Sequence, residues 1–152
     1  MNYKKNSYNN ASTLIELIFT ISIILIISGY GFSYYSQHMK LCNHVNIEYC
    51  SESIVYIIDY TKQYCRENGL SGYVLFDFSR NLISSSSNGR TINKLYLPNG
   101  FKLYRVNASS NMININNKGL TGDACTVVYQ DKDSLYHHIT ICVGSSNVEI
   151  QD

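Results

Sequence analysis

The sequence predicts an α+β protein: a long N-terminal helix, apolar in its first half and amphipathic in its second, followed by an antiparallel β-sheet domain. Three observations predict it. Residues 13–32, TLIELIFTISIILIISGYGF, carry a single charge, Glu16, and a run of about 20 such residues spans the hydrocarbon core of a membrane as a helix. The helical spacing of apolar residues continues past Phe32 as far as Asn68-Gly69, a good helix stop. From there to residue 150 the pattern changes to short alternating runs separated by turn residues, the signature of an antiparallel sheet. A helix followed only by strands is an α+β arrangement, and a single Pro in 152 residues leaves room for long elements.

The first eleven residues, MNYKKNSYNNA, are polar and hold Lys4 and Lys5 but no acid. Cations before an apolar run and none within it place the N-terminus in the cytoplasm and the rest of the chain outside it. Glu16 is the odd residue of the run. A charged group near the centre of an apolar helix costs about 2.5–3.5 kcal/mol, less near an end, and such residues are usually functional and paired. No Lys or Arg follows before Lys40, so the chain offers no cation at that depth. A free α-amine on a neighbouring copy would serve, provided the chain were cut just before the helix. Three readings compete for the segment. A secretory signal peptide would be cut near Gly29-Tyr30-Gly31, a signal anchor would stay uncut, and both leave Glu16 without a role. A chain cut just before the apolar helix and packed against other copies gives it one.

Past Phe32, the residues Leu41, Val45, Ile54, Ile57, Ile58, Thr61 and Cys65 are expected to share one apolar stripe. Lys40, Asn43, Asn46, Glu52, Asp59, Lys62 and Arg66 are expected on other faces. Gly29 and Gly31 are expected to bend or loosen the helix, and Tyr30, Tyr34 and Tyr35 to form an interfacial aromatic belt. In the β region, Tyr73 to Phe78 reads as a strand and Ser84 to Gly89 as a polar turn region. Thr91 to Leu97 and Phe101 to Val106 read as a hairpin around Pro98-Asn99-Gly100. Met112 to Asn116 alternates. Ala124 to Gln130 and Tyr136 to Val143 form a second hairpin around Asp131-Lys132-Asp133-Ser134, and Val148 to Ile150 closes the sheet.

A net charge of +1 predicts neither a general nucleic-acid binder nor an acidic tail protein. The charge is nonetheless uneven. Between Asp77 and Asp123 there is no acid, and Arg80, Arg90, Lys94, Lys102, Arg105 and Lys118 fall there. With Tyr96, Phe101 and Tyr104 interleaved they outline a DNA-contacting or partner-contacting face; complementary charges that steer subunit packing are the other reading. The five cysteines, Cys42, Cys50, Cys65, Cys125 and Cys142, lack zinc-site spacing. Cys125 and Cys142 flank the second hairpin and are placed either to form a disulfide or to remain two small buried hydrophobes. His137 and His138 are adjacent in a strand and point to opposite faces; like His38 and His44, they read as surface residues. No catalytic motif is present, so neither an enzyme, a cofactor nor a metal is expected.

The stretch Asn10-Ala11-Ser12-Thr13-Leu14-Ile15-Glu16-Leu17 resembles the cleavage motif of type IV prepilins. The resemblance implies cleavage by prepilin peptidase between Ala11 and Ser12, N-methylation of Ser12, and Glu16 as the fifth residue of the mature chain, setting register during assembly. Ala11 stands where that family usually has Gly, and Ser12 where it usually has Phe. The implied domains are a leader (1–11), a transmembrane and filament-core helix (12–34), an amphipathic helix half (35–68) and the β domain (69–152). The order Ile113-Asn114-Ile115, Gly119, Thr126 to Tyr129, then Ile139 to Gly144 resembles the GspH/FimT type of pseudopilins and minor pilins. Some FimT-like members are thought to bind DNA through a Gly-Arg-x-Arg stretch; the comparable Gly144-Ser145-Ser146-Asn147 holds no Arg.

The implied function is that of a pilin-like subunit. It is held in the cytoplasmic membrane by a single pass with its C-terminal domain extracytoplasmic, and is then assembled into a pilus or pseudopilus at the cell surface. Its partners would be other pilin or pseudopilin subunits, the peptidase and the membrane platform protein of the assembly machine. The alternative is a DNA-uptake (competence) pseudopilin whose basic sheet face contacts DNA.

Overall fold

The computed structural model describes the backbone of residues 8–122, 124–142 and 148–151, and the side chains of residues 13–122 and 124–142. The element order is α1 (Tyr8–Asn68), β1 (Gly72–Asp77), β2 (Leu82–Ser87), β3 (Arg90–Tyr96), β4 (Lys102–Val106), a 3₁₀ turn (Ser109–Asn111), β5 (Met112–Ile115), β6 (Cys125–Gln130), β7 (Tyr136–Ile141) and β8 (Val148–Gln151). The chain divides into two compact units, Met1–Cys42 and Asn43–Asp152. The first is helical throughout its described residues, and α1 runs without interruption through Gly29 and Gly31.

In the second unit the helix ends at Asn68 with Gly69 in the left-handed region (φ 64°). The Leu70 N–H returns to the Cys65 carbonyl at 3.0 Å, the closure that a glycine just past the last helical residue permits. Two four-stranded antiparallel sheets follow, in the orders β3-β2-β1-β5 and β4-β6-β7-β8. One core joins them to the helix. Ile54, Ile57, Ile58 and Cys65 of α1 pack with Val74, Phe76, Ile83, Ile113 and Ile115 of the first sheet, and with Leu103, Val127, Tyr129, Ile139 and Ile141 of the second.

The expected stripe holds from Ile54 to Cys65 but not earlier. Leu41 and Val45 are exposed, while Asn43 and Lys62 are buried. Within the second unit, the burial of the helix begins at Asn43. Close approach of the helix to the sheets explains two glycines. A Cβ on Gly119 (φ 75°) would lie 2.5 Å from the Lys62 carbonyl oxygen, and one on Gly72 would lie 2.7 Å from Cys65 Sγ.

Two β assignments are corrected. Ser84 to Gly89 is not a turn region: Leu82–Ser87 is the inner strand β2, pairing with both β1 and β3. Its serines are tolerated because the site is tight and a small side chain fits; Ser85, Ser86 and Ser87 are all buried. The turn is confined to Asn88-Gly89, both at positive φ (49° and 74°), the geometry a two-residue hairpin loop needs. Nor do the segments around Pro98-Asn99-Gly100 form a hairpin. β3 pairs with β2, and β4 pairs with β6 in the other sheet, so this loop carries the chain from one sheet to the other. Asn81 pins the crossing: its amide nitrogen donates to the Phe101 carbonyl at 3.3 Å, and its side-chain oxygen accepts from the Leu103 N–H at 3.0 Å. The other strands lie where the sequence places them, and β8 pairs with β7 at the sheet edge.

Ser85 Oγ is buried without a hydrogen-bond partner among the described residues. A buried hydroxyl left unsatisfied costs about 1–3 kcal/mol. Ser85→Ala is therefore expected to stabilise the protein by about 1 kcal/mol, read as a higher urea midpoint at unchanged slope; a lower midpoint would contradict this account.

Candidate functional site

The first unit presents a continuous apolar surface. Leu14, Ile15, Leu17, Ile18 and Phe19 are 56–66 % exposed, and the exposed series continues through Ile27. A helix apolar on all sides is stable only in lipid or inside a bundle, and α1 is long and apolar enough to cross a membrane. Two of its hydroxyls are satisfied by the helix itself. Thr20 Oγ1 donates to the Leu17 carbonyl at 2.9 Å, and Ser22 Oγ to the Ile18 carbonyl at 2.7 Å. Glu16 has no such provision. It is the only Asp, Glu, Lys or Arg between Lys5 and Lys40, and it projects from the helix surface. Ala11 and Ser12 lie within α1 by backbone; their side chains, and the leader before Tyr8, are outside the described residues. Tyr30, Tyr34 and Tyr35 are all exposed.

In the second unit a buried polar clasp joins the helix to the β6–β7 hairpin. Asp131 is 3 % exposed. Its Oδ1 accepts the N–H groups of Asp133 and Leu135, both at 2.9 Å. Its Oδ2 accepts from Asn43 Nδ2 at 3.2 Å and lies 3.2 Å from His137 Nε2. Asn43 Nδ2 also reaches Asp133 at 2.7 Å. His137 stacks on Tyr129 with ring centres 5.1 Å apart. Tyr129 Oη donates to the Ile47 carbonyl at 3.1 Å and lies 2.6 Å from Ser51 Oγ. Burial alone would raise the Asp131 carboxyl, but the donors from Leu135, His137, Asn43 and Asp133 outweigh it and hold the group below its ordinary value.

Beside the clasp lies a groove of about 740 Å³. The helix lines it with Ile47, Glu48 and Glu52, and the hairpin with Leu135, Tyr136 and His137. Sequence reading missed both features. It placed Asn43 on a polar face and His137 at the surface, and only the Asp131-Lys132-Asp133-Ser134 turn hinted at them. His138 is exposed, on the face opposite His137, as alternation requires.

The six basic residues do not form one face. Arg90 and Lys94 lie on β3 of the first sheet, Lys102 and Arg105 on β4 of the second, and Arg80 and Lys118 in turns. Arg80 pairs loosely with Asp77 at 3.8 Å. Of their interleaved aromatics, Tyr96 and Tyr104 are exposed but Phe101 is core. Of the two readings left open for Cys125 and Cys142, the bridge is not formed, and only Cys125 is buried, since Cys142 is an exposed thiol. Cys125 is paired across the strands with Ile141, so the next residue, Cys142, points to the other side of the sheet. Burial pushes the Cys50 thiol up to about 12, which leaves it inert. Among the described residues no group of three or more His, Cys, Asp or Glu is placed to hold a metal ion.

No family model and no curated protein matches the sequence. A solved structure does: the minor pseudopilin EpsH from the Type 2 Secretion System of Vibrio cholerae, with a TM-score of 0.54 over 68 % of this chain and 94 % of that one. The chain has the pseudopilin fold. At 10 % identity the likeness is one of architecture, a long N-terminal helix leading into antiparallel sheets. The clasp is what ties the helix to the second sheet within this pseudopilin fold.

Because Asp131 is held below its unfolded pKa, its bonds contribute stability above the ordinary carboxylate range, and that contribution is lost as the pH falls through the folded value. Asp131→Ala, which removes the acceptor of two backbone N–H groups and one of the two acceptors of the Asn43 amide, is expected to cost about 2–3 kcal/mol at neutral pH. Urea titrations from pH 7 down to pH 3 should show the gap between the two proteins narrowing at the acid end; a constant gap would contradict the assignment.

Proposed function

We propose that the chain is a type IV pilin-like subunit, a minor pilin or pseudopilin, cut by prepilin peptidase between Ala11 and Ser12 and assembled into a pilus or pseudopilus. Glu16 carries the reading: a lone acid, five residues into the cut chain, on an apolar helical surface that nothing in its own unit covers. Cleavage before Ser12 creates an α-amine. In a bundle of such helices that amine, on a neighbouring subunit, is the countercharge Glu16 lacks. Two charges desolvated together are tolerated only when paired, so the pair would fix the axial register, while burial of Leu14 to Ile27 would supply the cohesion at about 25 cal/mol per Å². The pseudopilin fold supports the same role, that of a structural subunit and not an enzyme.

Before assembly the chain would stand in the cytoplasmic membrane as a single-pass protein with its β domain outside the cytoplasm, as Lys4 and Lys5 indicate. It would meet the peptidase, which also methylates Ser12, the membrane platform protein of the assembly machine, and other subunits. No observation favours the DNA-uptake alternative: Arg80, Arg90, Lys94, Lys102, Arg105 and Lys118 are divided between two sheets and two turns.

N-terminal sequencing of the chain after co-expression with a prepilin peptidase is expected to begin at Ser12; any other start removes the pairing. Glu16→Ala is expected to leave membrane insertion and cleavage intact while abolishing recovery in sheared filaments. Normal recovery would sink the register role.

A further inference from the structure

The groove at the Asn43 end of the packed helix and the corner at its Asn68 end carry apolar residues flanked by opposite charges. Ile47, Leu135 and Tyr136 give the groove an apolar lining, and Glu48 and Glu52 add exposed acids. Among the described residues Glu48 is engaged only by His44, at 3.5 Å across the exposed surface. Glu48 and Arg66 are 18 residues apart on α1, roughly 27 Å along its axis. At the far end the β5–β6 turn is drawn onto the helix at Gly119, which approaches Lys62 and Arg66. The turn is rigid: Asn116 Oδ1 accepts the N–H groups of Lys118 at 2.9 Å and Leu120 at 3.0 Å, and the Gly119 N–H reaches the Asn116 carbonyl at 2.9 Å. It holds out Leu120, 40 % exposed, beside Lys118 and Arg66, neither of which has an ion-pair partner among the described residues. The acid nearest Arg66 in sequence, Glu67, is engaged by Gln63 at 2.7 Å.

We infer that the groove receives the Lys118–Leu120 corner of a second copy of this chain, Leu120 entering between Ile47 and Leu135 while Lys118 and Arg66 meet Glu48 and Glu52. The occupant is a second copy because the same unit carries an acid-rimmed apolar groove at one end of its helix and a base-flanked apolar knob at the other. Such a contact is heterologous, joining different surfaces of the two copies, and it propagates along an axis unless its rotation closes a ring. It rests on the filament reading and extends it: the β domains make their own head-to-tail contact, in addition to the bundled apolar helices.

The test uses the full chain in detergent micelles. Zero-length carbodiimide crosslinking of mixed ordinary and nitrogen-15-labelled copies is expected to join Glu48 or Glu52 to Lys118 across the two labels. Two swaps are then compared by sedimentation equilibrium, Glu48→Lys with Glu52→Lys in one protein and Arg66→Glu with Lys118→Glu in the other. All four residues are exposed, so the fold is retained. Each swap alone places like charges together and is expected to weaken self-association at least about tenfold, whereas an equal mixture restores it. Leu120→Ser should weaken it without any change of charge. Absence of the cross-label linkage, or a mixture no tighter than either swap alone, overturns the inference. Association through the apolar helix segments would persist equally in every variant, and a mature N-terminus other than Ser12 would remove the filament reading while leaving this contact measurable.

Discussion

Water does not tolerate the surface of residues 14–27, and the protein is organised around that fact. Leu, Ile and Phe side chains surround the helix there with none buried in its own unit. The surface must be covered by lipid, by other helices, or by each in turn. Lipid asks only that polar groups be satisfied locally, and the Thr20 and Ser22 hydroxyls comply by bonding to carbonyls one turn back. On the proposed reading, other helices offer something lipid cannot, the α-amine of a cut neighbour at a fixed height, and Glu16 would be the group that uses it. An acid that is costly in one environment and paired in the other biases the chain towards the second.

The second unit solves the opposite problem, the attachment of a helix to two sheets. Isoleucines from all three elements supply the cohesion, but apolar contact is not directional. Direction comes from polar contacts between defined partners: Asn43 on Asp131 and Asp133, and Ser51 and the Ile47 carbonyl on Tyr129. The clasp lies where the packed part of the helix begins, and the Gly119 approach lies near where it ends. The helix is thus fixed at both ends of its packed length, and the groove and the Leu120 corner are by-products of those two attachments.

Much of this was legible in the sequence because it depends on local pattern. The apolar run, the helix stop at Asn68-Gly69, the alternation of β5 and the Asp131–Ser134 hairpin are short-range signals, and each element lies within a residue or two of its expected place. The errors arose where partners are distant. Pro98-Asn99-Gly100 has hairpin chemistry, but Asn81, some 20 residues earlier, holds that loop as a crossing. Ser84 to Ser87 has turn composition, yet it lies between two strands, and Ser85, Ser86 and Ser87 are buried there. Leu41 and Val45 fit the helical period of the core stripe, but the sheets do not reach them.

By itself the sequence determined the class of the protein, a membrane-length helix leading into a small antiparallel β domain, and singled out Glu16 as the residue that needs an explanation. Hydrophobic period and an isolated charge are one-dimensional quantities, so one dimension is enough to read them. Tertiary structure alone decided that the strands form two sheets, that Asp131 is a buried anchor, and that the cysteines at 125 and 142 face apart. Those outcomes depend on which segments meet across 20 to 90 positions of chain, and pairings at that range are selected by the packing of the whole core.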